Sequence, residues 1–364
     1  MTLELKNVTK TVRGETHIDD VSLTLAHGTL NILLGPTLSG KTSLMRLMAG
    51  LDQPSAGKIL FDAKDVTGVP VRRRSVAMVY QQFINYPTLT VYENIASPLR
   101  VAGKDRSEID RSVRETAALL KLEPLLERKP LELSGGQQQR TALARAIVKG
   151  ADLVLLDEPL VNLDYKLREE LREELPHIFS ASGAIFVYAT TEPIEALLLG
   201  GTTATLARGR ITQFGPTLEV YRRPNSIETA QIFSDPPINL LGVEKRNGAL
   251  ASAAGHLTLP ASGLFAGLDD GAYTLGFRPD HLFLARPNTE AVPVTGTVAI
   301  TEITGSESFV HVDFAGQRWV ALAHGVHDLD IGRPVEIWLD PGRFFVFDKS
   351  GVLAAAPGLR RAAA

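Results

Sequence analysis

Gly35-Pro36-Thr37-Leu38-Ser39-Gly40-Lys41-Thr42 decides the reading of this sequence. It matches G-x-x-x-x-G-K-[ST] and stands between an apolar run, Leu30 to Leu34, and a segment of helical spacing, Thr42 to Ala49. In that segment Leu44, Leu47 and Met48 recur at i, i+3 and i+4. A strand that turns into a helix through such a loop aims several backbone N–H groups at one point, and the helix adds the positive end of its dipole. Both features attract phosphate. Lys41 is expected to neutralise the β- and γ-phosphates and Thr42 to offer its hydroxyl to Mg²⁺. Gly35, Pro36, Thr37, Leu38, Ser39, Gly40 and Ser43 are expected to complete the nucleotide-binding loop. Leu38 stands where many such loops carry a further glycine.

Outward from the loop, Ala151-Asp-Leu-Val-Leu-Leu-Asp157-Glu158-Pro159 reads as an apolar strand ending in two acids. Asp157 is placed to reach Mg²⁺, directly or through water, and Glu158 to polarise an attacking water as general base. Ser75 to Tyr80 and Ala184 to Tyr188 read as further strands. Nearly continuous apolar strands separated by helices predict a parallel sheet covered on both faces, an α/β P-loop NTPase domain. A helical subdomain is expected over about residues 86–150, with a charged helix from Asp105 to Leu122. Asn162 to Leu175 has leucines at 163, 167, 171 and 175, with Pro176 expected to stop it. Its charges, Lys166, Arg168, Glu169, Glu170, Arg172, Glu173 and Glu174, are assigned to a solvated face, and Arg72-Arg73-Arg74 to a solvated turn.

The texture changes at Pro236-Pro237. Short β-rich runs follow, among them Val294 to Glu302, Phe309 to Phe314, Val335 to Leu339 and Phe344 to Phe347, separated by Gly, Pro and Asp. The division expected is a nucleotide-binding domain over 1–236 and a small all-β, OB-like barrel over 237–364, with a frayed tail from Ala354. Trp319 and Trp338 are expected in the core of the second domain.

The 364 residues suit two or three domains, and the net charge of −3 calls for neither nucleic acid nor an anionic lipid surface as main partner. The absence of cysteine excludes disulfides and thiolate metal sites, and the eight histidines show no paired-ligand spacing. No basic segment followed by an apolar one opens the chain, and no run approaches the ~18 consecutive apolar residues of a membrane span. Service to a membrane would therefore run through partners.

Leu133-Ser134-Gly135-Gly136-Gln137-Gln138-Gln139-Arg140 precedes a further helix. Alone this is a helix cap, with Ser134 as the cap. Between the phosphate loop and the acidic strand it resembles the signature motif of the ABC ATPase family. The resemblance implies that two nucleotide-binding domains stack head to tail, with Ser134, Gly135, Gly136 and Gln137 touching ATP bound to the opposite subunit. It also implies that Gln81, in Met-Val-Tyr-Gln-Gln, senses Mg²⁺ and the γ-phosphate and links the site to a membrane partner. Asp164, in Val-Asn-Leu-Asp, matches the family's D-loop aspartate. Phe233-Ser-Asp-Pro-Pro-Ile-Asn, Gly276-Phe-Arg278-Pro279-Asp-His-Leu and Glu302-Ile-Thr-Gly-Ser-Glu307 resemble the regulatory domain of maltose-type carbohydrate importers. Tyr80-Gln-Gln-Phe-Ile-Asn-Tyr-Pro and Tyr188-Ala-Thr-Thr-Glu-Pro resemble a branch serving glycerol or related polyols.

Two positions depart from that family. Thr191 stands where a switch histidine orients the attacking water, so hydrolysis at this chain's own loop is expected to be slow. No aromatic residue lies between Val12 and His17 to stack on adenine, which leaves stacking either missing or supplied by His17. The resemblance thus implies a subunit that binds and hydrolyses ATP with Mg²⁺ to power import of a small polyol or sugar. The expected partners are a second ATPase chain that carries the histidine, two transmembrane permease subunits and a periplasmic or extracellular solute-binding protein, with no nucleic acid. Its expected place is peripheral, on the cytoplasmic face of the inner membrane. The alternative is a mainly non-hydrolysing subunit that lends its signature to a catalytic partner, and a homodimer that tolerates Thr191 stays open beside the heterodimer.

Overall fold

The computed structural model describes residues 1–82, 84–161 and 163–358. The chain divides into two compact units, Met1–Thr217 and Leu218–Ala364. In chain order the first unit runs β1 (Thr2–Val12), β2 (Glu15–Ala26), β3 (Leu30–Leu34), α1 (Lys41–Ala49), β4 (Ala56–Phe61), β5 (Lys64–Asp65), β6 (Val76–Val79), α2 (Val91–Val101), α3 (Arg106–Leu119), α4 (Gly135–Ile147), β7 (Leu153–Asp157), α5 (Tyr165–Ser182), β8 (Ile185–Thr190), α6 (Pro193–Leu199), β9 (Thr202–Ala207) and β10 (Arg210–Pro216).

The central sheet has the order β10-β9-β3-β8-β7-β6. All its neighbours are parallel except the edge pair β10–β9. A smaller antiparallel sheet, β2-β1-β4-β5, belongs to the same unit. One core joins them, with Leu5, Leu25, Leu33, Leu44, Leu155 and Val187 all buried. Strands β3 and β7 flank β8, with Leu34 opposite Thr190 and Asp157 opposite Ala189. The loops leaving β3 and β7 therefore open side by side at the carboxyl edge of the sheet, where open α/β sheets place their ligands.

Two local expectations meet corrections here. Helix α5 does not stop at Pro176 but runs on to Ser182. A proline inside a helix costs about 3 kcal/mol. Burial of Leu175 and Phe179, with Phe179 packed 4.1 Å from the Phe186 ring, opposes that cost. Asn162, expected to open this helix, lies outside the described residues; the helix begins at Tyr165. Arg74 is not a solvated turn residue: its guanidinium donates to the carbonyls of Val69 and Met48, both at 2.9 Å, and to that of Val66. The charged helix α3 does form, capped by Asp105, whose carboxylate accepts the Glu108 N–H at 2.9 Å.

The second unit takes in α7 (Thr217–Arg222) beyond its first residue, then α8 (Ile227–Ile232), β11 (Asn239–Arg246), β12 (Ala249–Ser252), β13 (Thr258–Pro260), β14 (Gly271–Phe277), β15 (Leu282–Phe283), β16 (Val292–Ile303), β17 (Glu307–Phe314), β18 (Gln317–His324), β19 (Pro334–Leu339), β20 (Phe345–Asp348) and β21 (Leu353–Ala355). Its strands form two antiparallel sheets, β13-β12-β11-β14-β20-β21 and β15-β19-β16-β17-β18, around one core. Trp319 lies in that core, edge-on to Phe277 at 5.0 Å, and its indole N–H donates to the Leu240 carbonyl at 3.1 Å. Trp338 is only half-buried and lies under the Arg286 guanidinium at 5.4 Å, so it is not a core residue. Ala230 of α8 packs with Ile238, Phe345 and Phe347, which ties residues before the change of texture to the β-rich unit. Ala354 and Ala355, expected to be frayed, are paired into β21 along β20. Residues 359–364 of that expected tail lie outside the described residues.

Candidate nucleotide site

At the edge of β3, β7 and β8 the phosphate loop meets the acidic strand. The Thr42 hydroxyl donates to Asp157 Oδ2 at 2.8 Å. Lys41 Nζ donates to the carbonyls of Gly35 (2.7 Å) and Pro36 (3.1 Å) and stands 3.7 Å from Glu158 Oε1. Gln81, in the loop after β6, donates from Nε2 to Glu158 Oε2 at 3.0 Å. These side chains come from segments far apart in the chain, and Lys41, Thr42, Gln81 and Glu158 line one cavity of about 590 Å³.

Backbone conformation explains the loop's composition. Leu38 adopts φ 66° and is 96% exposed. This is the left-handed region that glycine enters without strain, which is why glycine is common there. Gly40 has φ 107°, and a Cβ at that position would come within 3.0 Å of the His17 carbonyl oxygen. Glu158 also has a positive φ, 47°, held by its N–H donating to the Ala189 carbonyl at 3.0 Å. Strain of this kind aims the carboxylate out of the strand and into the cavity.

The charges are set for a polyanion. Burial lowers the affinity of the Lys41 amine for its proton, against the opposing pull of Glu158 and Asp157. Burial likewise raises the Asp157 carboxyl above the usual carboxylate range, against the Thr42 hydroxyl and Lys41. Phosphate oxygens would restore the first group and a divalent cation the second. Ser39 Oγ is buried and has no hydrogen-bond partner among the described residues, so the loop holds a polar atom ready for a ligand. One hydroxyl and one carboxylate suit Mg²⁺, which takes one or two carboxylates together with substrate phosphates and water.

The signature residues do not join this cavity. Ser134 caps α4: its hydroxyl accepts the Gln137 N–H at 3.4 Å, while Gln137 Oε1 accepts the Ser134 N–H at 3.0 Å. Gly135 and Gly136 open that helix, outside the cavity lining. The start of α4 is nevertheless tied to the site's walls, because buried Gln139 donates to the Pro159 carbonyl. Thr191 also stands outside the lining, in the turn between β8 and α6. Asp164 accepts the Arg168 N–H at 3.0 Å through its carbonyl. His17 does line the cavity, and so does Arg208, which sequence reading did not single out. Its only local signal is an Arg-Gly turn between β9 and β10, with positive φ at both residues.

A model of the ABC transporter family matches residues 18–161, and one of the TOBE domain matches residues 275–347. The sn-glycerol-3-phosphate import ATP-binding protein UgpC of Salmonella typhi is 38% identical over 325 residues, covering 88% of this chain and 91% of that protein. The chain belongs to the ABC transporter ATPase family. The trehalose/maltose import ATP-binding protein MalK of Thermococcus litoralis is 37% identical over 364 residues, covering 96% of this ABC ATPase and 98% of that relative. Among solved structures, a dimeric post-hydrolysis state of the ATP-binding cassette MJ0796 bound to ADP and Pi matches with a TM-score of 0.55 and 29% identity. That match covers 59% of this chain and 98% of the other. The all-β unit of this ABC ATPase holds the TOBE match, so the maltose-type importer group is the part of the family it resembles.

Proposed function

We propose that this ABC ATPase binds MgATP in the cavity between its phosphate loop and Glu158, and hydrolyses it to power import of a small polyol, its phosphate ester or a sugar. The observation that carries this is the convergence of Lys41, Thr42, Asp157, Glu158 and Gln81 at one sheet edge. Lys41 and the loop N–H groups hold the β- and γ-phosphates. Thr42 and Asp157 hold Mg²⁺, which neutralises charge on the transferred phosphoryl group when bound. Glu158 accepts a proton from the attacking water, and Gln81 keeps its carboxylate oriented. The solute class rests on the named substrates of the relatives above.

The signature residues at the start of α4 stand outside the lining of their own cavity, which suits a second ATPase chain placed head to tail. The dimeric cassette among the similar structures supports such a pairing. A groove of about 250 Å³ lined by Tyr80, Ile84, Tyr86, Val101 and Arg145 offers a seat for a permease subunit, close in sequence to Gln81. No described helix is long and apolar enough to cross a membrane. On the likeness to importer ATP-binding proteins, the chain is read as a peripheral subunit on the cytoplasmic face, with two permease subunits and a solute-binding protein completing the complex.

Thr191 favours a heterodimer, because a threonine hydroxyl is shorter than imidazole and takes no charge at neutral pH. It equally supports the second reading, a subunit that mainly binds ATP and lends its signature. The subunit composition of the complex, extracted in mild detergent and weighed intact, tests the pairing. The expected result is one copy of this chain beside a histidine-bearing ATPase; two copies would refute the heterodimer. The Thr191→His variant gives an independent check. In a heterodimer the partner's site already turns over, so total turnover no more than doubles. In a homodimer both sites gain the imidazole, and turnover rises roughly tenfold or more.

A further inference from the structure

The helix read as solvated on its charged side is not free there. Arg168 Nη1 donates to both carboxylate oxygens of Glu192, at 3.0 and 3.3 Å, and its Nη2 donates to the Val161 carbonyl at 3.2 Å. Glu192 directly follows Thr191. Val161 follows Glu158 by three positions, and its N–H points to the Glu158 carbonyl at 3.5 Å. One guanidinium therefore spans the turn that carries Thr191 and the segment that carries the general base.

Both ends of this span are registered on the sheet. The Glu192 N–H donates to Thr190 Oγ1 at 3.0 Å. The Thr190 hydroxyl donates at 2.7 Å to the buried carboxylate of Glu195, which also accepts the Tyr188 hydroxyl at 3.0 Å. Arg172 reaches Glu192 and Glu195, each at 3.3 Å. On the nucleotide side, Gly35 N donates to the Thr190 carbonyl at 3.3 Å and Glu158 N to that of Ala189. The end of β8 is thus the common frame for the phosphate loop, the base and the Thr191 turn. The Arg168–Glu192 pair closes the loop from that turn back to the chain beyond Glu158.

We propose that Arg168 and Glu192 form a positioning pair that holds the Thr191 turn against the segment following Glu158, and so sets the aim of the general base. This rests on the reading of Glu158 as that base. Arg is suited to the task, because its planar fork holds its donors to a carboxylate and a carbonyl in a fixed geometry, whereas a lysine ammonium is a point charge on a flexible stem. The side chains of Arg168 and Glu192 are 22% and 35% exposed. An ion pair so close to solvent adds little to stability, so its loss should be felt in geometry rather than in folding. Arg172 and Glu195, being buried, are left intact in the test.

The test uses the assembled transporter carrying Arg168→Gln, Glu192→Gln, both together, or Glu158→Gln, with Tm measured alongside. Each single change at the pair should lower this chain's own share of kcat between about tenfold and about a hundredfold, with KM for ATP and Tm little changed. The double variant should be no slower than the singles, since either change alone breaks the same tie. Turnover that falls with Glu158→Gln but not with either change at the pair overturns this inference alone. So do losses that multiply in the double variant, or a loss that appears in KM. Turnover indifferent to Glu158→Gln overturns the proposed function and this inference together.

Discussion

Replacing Lys41 with alanine should weaken ATP binding between about 30-fold and about 5,000-fold, the equivalent of roughly 2–5 kcal/mol for truncating one partner of a buried charge pair. The lysine amine is buried within reach of both loop carbonyls and Glu158. It donates to the carbonyls of Gly35 and Pro36, so the loop is shaped around a positive charge. Triphosphate oxygens would replace those carbonyls as its partners. Alanine leaves the phosphates facing Glu158 without the lysine's charge, so the attraction that remains is what Mg²⁺ and the loop N–H groups supply. Titration of the purified chain with a fluorescent ATP analogue measures the effect. An affinity unchanged within a factor of about two, well under the smallest loss expected, would mean that the phosphates sit elsewhere.

Glu158→Gln should act on the chemical step and spare binding. Glutamine keeps the size of the side chain and can still accept the Gln81 amide, which now lies 3.0 Å from the carboxylate. It cannot take a proton from water. Loss of a positioned general base slows hydrolysis at this chain's own site by roughly 10²–10⁴-fold, which in a heterodimer removes only this site's share of the complex's turnover, while affinity for ATP holds or rises as the site loses a negative charge. Steady-state hydrolysis by the purified complex, paired with nucleotide titration, separates the two effects. If turnover of the complex does not change, the cavity in this chain is not the motor, and the second reading, of a subunit that lends its signature to a catalytic partner, takes its place.

What could be read from the sequence was local. Leu30 to Ala49 encodes a strand, a phosphate loop and a helix within twenty residues, because each part has its own period or its own glycine. Leu153 to Glu158 does the same for the acidic strand. Those two segments, placed by one parallel sheet, account for the meeting of Lys41, Thr42, Asp157 and Glu158. Contacts between distant segments escaped. Arg168 and Arg172 look solvated by helical spacing, yet their acidic partners arrive 24 and 23 residues later, across α5 and β8. Arg74 has no partner nearby in sequence other than carbonyls, which no pattern of side chains reveals. Pro176 looked like a stop because local rules price the lost hydrogen bond and not the burial of Phe179. Arg208 reaches the cavity only through the hairpin of β9 and β10. Thr191 was legible as a departure, whereas the network behind it, Thr190 with Glu195 and Glu192 with Arg168, was not.

The central claim, that this chain's ATP turnover drives solute inward, is tested most directly in lipid vesicles containing the purified complex with ATP enclosed. The complex's own solute-binding protein, loaded with its native solute, is added outside, and ATP consumption and solute uptake are followed together. The account predicts that the loaded binding protein raises ATP consumption, that solute accumulates inside, and that Glu158→Gln in this chain depresses both. Hydrolysis indifferent to the loaded binding protein, with no solute entering the vesicles, would contradict it.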